Sequence, residues 1–187
     1  ARRMRFRIGV NLGDIEEADD AESKVWRIVR GTISAPMFLE STDLGAALNR
    51  DNNGVIVQND RVTFRFTAVI PKALMNRFEA GRVIGFGHGF FGGLDETTGD
   101  AVVGIAEHLN AVVVGIKWWG MTSADAPAMV DDMSTQPGLT TRFSERMHQA
   151  MVNWIATGRA MKSVLRQADG FVRPSEAGQP GVSEQNG

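Results

Sequence analysis

The chain has 187 residues, of which 43% are hydrophobic and 22% charged, a balance typical of a globular protein with its own core. Twenty basic and twenty-two acidic residues leave a net charge of −2. This gives no support for nucleic-acid binding, and no apolar run approaches the ~20 residues of a membrane span. Cysteine is absent, which excludes disulfides, thiolate metal sites and a cysteine nucleophile within the chain.

The chain begins with Ala1, and nothing near this residue resembles an intact signal peptide. We therefore expect a processed or excised polypeptide. Its compartment is left open, although a non-Met start without cysteine is compatible with a processed extracytoplasmic protein.

The first sixty residues are predicted to form an N-terminal β-rich extension. A short strand is expected over Met4 to Val10, followed by a solvated acidic loop that includes Asp14 to Asp20. A second strand is predicted from Lys24 to Ile33, where apolar residues alternate, and the segment Ser34-Ala35-Pro36 should end it.

Residues 49–60 contain Asn53-Gly54, a strong hairpin signal. The same segment resembles a calcium-binding EF-hand loop, with oxygen ligands at Asn49, Asp51, Asn53 and Asp60. Asn at the first position, Asp at the twelfth and a strand-like continuation all depart from that motif. The hairpin turn is therefore the favoured interpretation, and calcium is a weak alternative.

The middle of the chain predicts a strand followed by a βαβ unit. Val62 to Ile70 alternates as a half-buried strand does and stops at Pro71. A short strand, Arg82 to Phe86, leads into a glycine-rich segment, then a helix over Asp100 to Leu109 and an apolar strand over Ala111 to Ile116. This order implies parallel pairing of the two strands around the helix.

Two helices and a tail are predicted after this unit. Ser123 is a candidate N-cap for a short helix through Met133, and a long helix should run from Thr141 to about Arg166. Residues 169–187 are expected to be a flexible linker. One apolar stripe at helical spacing predicts the core-facing side of the long helix: Phe143, Met147, Ala150, Met151, Trp154, Ile155, Met161 and Leu165.

The segment GFGHGFFGG (85–93) admits several interpretations. Gly87 to Gly92 matches the G-x-G-x-x-G pattern of dinucleotide sites. However, the helix starts late, near Asp100, and Lys117 stands where an acid should bind the ribose hydroxyls. A plain glycine-rich turn with a structurally hydrogen-bonded histidine is also possible.

The segment also has the chemistry of an oxyanion-binding loop, which needs backbone N–H groups fixed where negative charge develops. Its setting, with VTFRFTAVIP before it, VIGFGHGFFGG around it and VVVGIKWWGM after it, resembles the α/β-hydrolase superfamily, specifically bacterial serine hydrolases of the esterase/lipase type. The resemblance covers roughly residues 61–168 and lies in the order of elements more than in identity.

The resemblance implies an α/β fold, with a partly parallel sheet flanked by helices as the N-terminal half of the hydrolase domain. It implies hydrolysis of carboxylic esters without a cofactor. The backbone N–H of Phe90 would be an oxyanion donor, Gly89 would permit the turn, and His88 would orient the loop. Phe91 would wall the acyl pocket, and Trp118, Trp119 and Met121 either line that pocket or only cover the sheet.

The catalytic centre of such an enzyme is missing from the sequence. No G-x-S-x-G elbow is present, and Ser183 lies in a polar tail without the closing glycine. His88, His108 and His148 lack the late position of a triad histidine. We therefore expect a second polypeptide, or the continuation of the same one, to carry the elbow. The alternatives are a nucleotide- or phosphate-binding module that uses GFGHGFFG and a non-catalytic fragment.

Overall fold

The computed structural model describes residues 7–18, 20, 22–77, 79–135 and 141–172. Five strands and three α-helices make up the regular structure of these residues. The strands are β1 (Gly9–Glu17), β2 (Val25–Met37), β3 (Asp60–Pro71), β4 (Arg82–Phe86) and β5 (Ala111–Ile116). The helices are α1 (Asp100–Leu109), α2 (Ala126–Thr135) and α3 (Thr141–Met161).

All five strands form one mixed sheet in the order β1-β2-β3-β5-β4. Every neighbouring pair is antiparallel except β4 and β5. The predicted fold class, a partly parallel sheet flanked by helices as in the first part of a hydrolase domain, is therefore wrong. The parallel arrangement is confined to the two strands that flank α1, and the strands of the first sixty residues belong to the same sheet.

The long pairing of β2 with β3 makes the sheet mainly antiparallel. Its register runs from Val25 opposite Pro71 to Met37 opposite Asp60. Residue periodicity identified β3 and the βαβ unit correctly, because both are local patterns. It could not identify which distant strand lies beside β3, because strand pairing depends on contacts between segments far apart in the chain.

The first two strands extend further than the sequence predicts. β1 continues to Glu17, so residues 14–17 of the acidic segment expected to be a loop belong to a strand, whereas Ala18 and Asp20 do not. Residues 4–6 of the predicted strand and Asp19 lie outside the described residues. β2 continues through Pro36 to Met37. Proline is tolerated there because β1 pairs with β2 only as far as Ser34, and no described residue pairs with Pro36 on that side.

The main core lies between one face of the sheet and α3. Val29, Ile33, Phe64 and Phe66 are buried on the sheet side, and Leu165 closes the core beyond the end of α3. On the opposite face, α1 packs on a smaller cluster around β5, formed by Val69, Val102, Val103, Ala106 and Val113.

The buried face of α3 differs from the predicted stripe. Ala150, Met161 and Leu165 are buried as expected, but Met151 is 49% exposed and Ile155 is 52% exposed. Small and polar residues of α3 face the sheet instead of Met151 and Ile155. The polar side chains reach backbone groups at strand ends: Gln149 accepts from the Phe38 N–H (2.7 Å) and donates to the Pro36 carbonyl (3.0 Å). Hydrophobic spacing cannot find a face that is held partly by hydrogen bonds.

The remaining elements follow the sequence closely. β4, α1 and β5 have the predicted bounds, and their parallel pairing is confirmed. α2 begins at Ala126 and ends at Thr135, two residues beyond the predicted end. In the part of the chain that the structure describes, no helix has both the length and the apolar character that crossing a membrane requires.

Candidate functional site

The glycine-rich segment forms a loop, defined here as residues 87–93, between β4 and the 3₁₀ turn Leu94–Thr98. It lies at the carboxyl end of the parallel pair β4–β5, the position where parallel strands commonly present ligand-binding loops. A parallel bridge between Gly92 and Thr122 ties it to the segment that follows β5. The loop therefore has a fixed support on both sides.

His88 is buried and anchors the loop with both ring nitrogens. Its Nε2 accepts the backbone N–H of Trp118 at 2.9 Å, so the proton must lie on Nδ1, which donates to the Gly89 carbonyl at 2.8 Å. A ring with both nitrogens committed to the backbone has no lone pair left for a substrate proton. His88 thus links the loop by hydrogen bonds to Trp118, just after β5.

Most backbone amides of the loop are used internally. Glu96 accepts from the N–H groups of Gly89 (3.3 Å) and Gly93 (3.2 Å). The Phe91 N–H donates to the Met121 carbonyl, and the Gly92 N–H donates to the Gly89 carbonyl.

The amide of Phe90 differs from these neighbours. Of the five consecutive amides from Gly89 to Gly93, it alone has no acceptor among the residues that the structure describes. The Phe90 residue is 52% exposed, so its amide lies in a part of the loop that solvent reaches. A backbone donor held in place without an acceptor is the feature that an oxyanion site requires.

The shape of the turn depends on Phe91 more than on Gly89. Phe91 has φ 62°, a left-handed conformation that is unusual for a bulky residue, whereas Gly89 has no positive φ. A Cβ on Gly89 would meet no atom within 4 Å, so the space beside it is open. Aromatic contacts hold the strained turn, because Phe90 lies against Phe91 (ring centroids 4.4 Å apart) and Phe143 of α3 (5.7 Å).

The three other predicted pocket residues lie behind the loop. Trp118 packs beside Gly87 and on Trp154, with its ring centroid 6.0 Å from that of Trp154. Trp119 packs partly on the main core, below the Arg146 guanidinium. Met121 contributes its carbonyl, which fixes Phe91. The structure thus brings Trp118 and Met121 against the loop and turns Trp119 towards the sheet.

A buried ion pair, which the sequence analysis did not predict, holds the segment that contacts the loop. Arg146 Nε lies 2.8 Å from Asp125 Oδ1, and their side chains are only 7% and 5% exposed. The other carboxylate oxygen of Asp125 accepts from the Gly120 N–H, the Thr122 N–H and the Thr122 hydroxyl. These bonds fix the segment whose neighbour, Met121, holds Phe91.

The sequence gives little indication that Asp125 and Arg146 form a pair. Asp125 directly precedes α2, where an aspartate is a common helix cap, although Ser123 is the residue predicted for that role. Arg146 sits in a helix with other charged residues, and nothing in its spacing indicates burial. Only the approach of α3 to the turn after β5 brings the two together.

The candidate calcium residues form a turn. The Gly54 N–H donates to the Asp51 carbonyl, and Arg50 and Ile56 form an antiparallel β-bridge. Both observations confirm the hairpin turn. Asp51 Oδ1 accepts from the N–H groups of Asn53 and Val55, each at 2.9 Å. Asn49 donates to the Val57 carbonyl, and Asp60 begins β3. Within the described ranges, no group of three or more His, Cys, Asp or Glu side chains could hold a metal ion.

Ser183 lies outside the described residues.

No family model, curated protein or solved structure matches the chain.

Proposed function

We propose that the loop 87–93 is the oxyanion-binding element of a serine hydrolase that acts on carboxylic esters. The Phe90 N–H is one donor to the oxyanion. The observation that carries the proposal is that, of the five amides from Gly89 to Gly93, only that of Phe90 has no acceptor among the described residues.

The surroundings of this amide support the assignment. His88, Glu96 and the Met121 carbonyl fix the loop backbone before any ligand arrives. A donor that is already oriented needs no reorganisation as charge develops on the ester oxygen, which is the source of the rate gain in such sites. The rings of Phe90 and Phe91 are partly exposed beside it and would contact the acyl chain.

The nucleophile, the acid and the catalytic histidine come from sequence outside these 187 residues in this proposal. The sequence has no G-x-S-x-G elbow, and the second oxyanion donor of such enzymes is the amide that follows the nucleophile. A companion polypeptide segment therefore supplies both. It would lie beside β4, whose outer edge has no partner strand among the described residues.

The neighbourhood of β4 supports this position for the companion segment. Val83 on β4 is 51% exposed, and an unpaired strand edge readily accepts another strand. Close to β4, where Trp154 packs over Gly85 and Trp118 beside Gly87, both indole N–H groups are buried without an acceptor among the described residues. Buried donors normally find a partner, and a segment added beside β4 would bring carbonyl acceptors near them.

The geometry supports a phosphate-binding role for the loop less well. A phosphate cradle presents several free amides to one anion. Here the amides of Gly89 and Gly93 already donate to the carboxylate of Glu96, so they are not free to bind a phosphate.

Replacing Phe90 by proline tests the oxyanion role directly. Proline removes the N–H, and no hydrogen bond to a described residue is lost with it. The measurement is hydrolysis of p-nitrophenyl butyrate by the gene product that contains this chain together with its continuation or partner. We expect Phe90→Pro to lower kcat by about 10²–10³-fold, the usual effect of removing one oxyanion donor.

Phe90→Ala is the matched control, because it removes the ring and keeps the N–H. It should stay within roughly tenfold of the unaltered protein, less than the loss of an oxyanion donor, and thermal unfolding should show both variants folded. Equal activities of the proline and alanine variants would exclude the Phe90 amide as the donor. If a fluorophosphonate probe labels no serine in the whole gene product or its partners, the hydrolase assignment itself fails.

A further inference from the structure

A groove of about 740 Å³ lies on the face of the sheet opposite the main core. Its floor is formed by β1, β2 and β3, and its wall by the 3₁₀ turn Leu94–Thr98. The wall can approach the sheet because Gly115 has no side chain: a Cβ there would collide with Thr97. The groove has the volume of a small-molecule site.

A row of hydrogen-bond donors crosses the floor of the groove. The β2–β3 register places Thr32 opposite Arg65. The β3–β5 ladder ends with Phe66 opposite Ile116, and Arg65 and Lys117 are the residues next to this last pair. β2, β3 and the residue that follows β5 thus contribute a hydroxyl, a guanidinium and an ammonium group, and all three residues line the groove.

The two cations of this row lack counter-ions. Among the described residues, neither Arg65 nor Lys117 forms a salt bridge, although Arg30 in the same groove is paired with Glu16. Asp14 and Asp95 also line the groove but lie outside salt-bridge distance of both cations. Two like charges in one groove repel each other, and an anion between them would replace that repulsion by attraction.

The other residues that line the groove are suited to contact an uncharged, apolar part of a ligand that also carries an anionic group. Leu94 and Trp119 give the groove apolar surface beside the cations, and Thr67 and Thr98 add hydroxyl groups. We propose that this groove binds a small molecule that carries one phosphate or carboxylate group on an apolar body, with the anion held between Arg65 and Lys117. This site is separate from the oxyanion loop, and the proposal does not rest on the hydrolase function.

The test is isothermal titration of the full chain with phenyl phosphate and with benzoate, and with benzyl alcohol as the neutral analogue. We expect phenyl phosphate or benzoate to bind with a Kd below about 1 mM, with affinity falling as salt is added, and benzyl alcohol not to bind. Binding of both anions assigns a general anion site, and binding of phenyl phosphate alone assigns a phosphate site. Amide chemical shifts of Thr32, Thr67 and Lys117 should move on titration.

The double variant Arg65→Gln/Lys117→Gln should weaken binding at least tenfold. The matched control Arg77→Gln/Lys162→Gln removes two exposed cations that do not line the groove, and it should bind as the unaltered chain does. The proposal is overturned if neither anion binds at concentrations up to about 10 mM. It is also overturned if both double variants lose the same affinity or if the shifts map elsewhere.

Discussion

Arg146 connects several parts of the molecule. Its guanidinium binds Asp125, donates to the carbonyls of Thr42 and Asp43, and lies 4.8 Å from the centre of the Trp119 ring. α3, the turn after β5 and the segment after β2 therefore meet at one charged group. A buried ion pair of this kind is costly to break from one side, because the remaining charge stays buried without a partner.

We expect Arg146→Met to destabilise the chain by about 3–5 kcal/mol, because it leaves the Asp125 carboxylate buried and unpaired. Urea unfolding at pH 7 measures this. The control is Arg50→Met, which breaks the more exposed pair that Arg50 forms with Glu145 at 3.0 Å and should cost less than about 1 kcal/mol. Similar losses in both variants would contradict a special role for the buried pair.

At the scale of elements, β1 depends on charge as well as on backbone pairing. It is an edge strand with a register shift between Leu12 and Ile15, and most of its side chains are exposed. Two ion pairs join it to β2: Arg30 with Glu16 and Arg27 with Glu17, each at 2.6 Å. The hydrogen bond from Arg30, and then its positive charge, lower the pKa of Glu16 below its usual value.

This lowered pKa predicts the direction of a pH effect. A carboxyl whose pKa is lower in the folded state stabilises that state above its ordinary pKa, and the contribution is lost as the pH falls through the folded-state pKa. Glu16→Gln should therefore be less stable than the unaltered chain at pH 7, and the two should converge in strong acid. Urea unfolding as a function of pH checks this, and a difference that grows towards low pH would have the wrong sign.

At the scale of the whole molecule, the sheet order sets which strands open first. β3 lies at the centre between two antiparallel neighbours, of which β2 is long, whereas β4 is short, pairs only with β5 among the described strands and is exposed at Val83. Local opening follows such differences in pairing and burial. We expect amide hydrogens of β3 to exchange at least about 100-fold more slowly than those of β4 in the isolated chain.

Hydrogen exchange followed by NMR measures this difference residue by residue, with β1 as the matched edge strand at the other side of the sheet. The proposed companion segment adds a second outcome: in the complete protein, the amides of β4 should become protected while those of β1 stay unchanged. Equal exchange in β3 and β4 of the isolated chain would contradict the observed strand order.

The sequence by itself determined the local elements of this protein. The bounds of β4, α1 and β5, the parallel pairing around α1 and the hairpin turn at Asn53-Gly54 all depend on residues close together in the chain. The exposed position of the loop after β4 follows from the same local order. Patterns of apolar spacing, glycine and proline determine structure over a few residues, and the elements that depend on them can therefore be predicted from the sequence.

The tertiary structure alone decided the sheet order, the face that α3 buries and the support of the loop. The antiparallel pairing of β3 with β5 and the Asp125–Arg146 pair join residues that no local pattern relates. That the Phe90 amide, unlike its neighbours, has no acceptor among the described residues likewise depends on Glu96 and Met121, which accept from the amides around it. Hydrogen-bond partners are set by distance in space, and a single sequence records only distance along the chain.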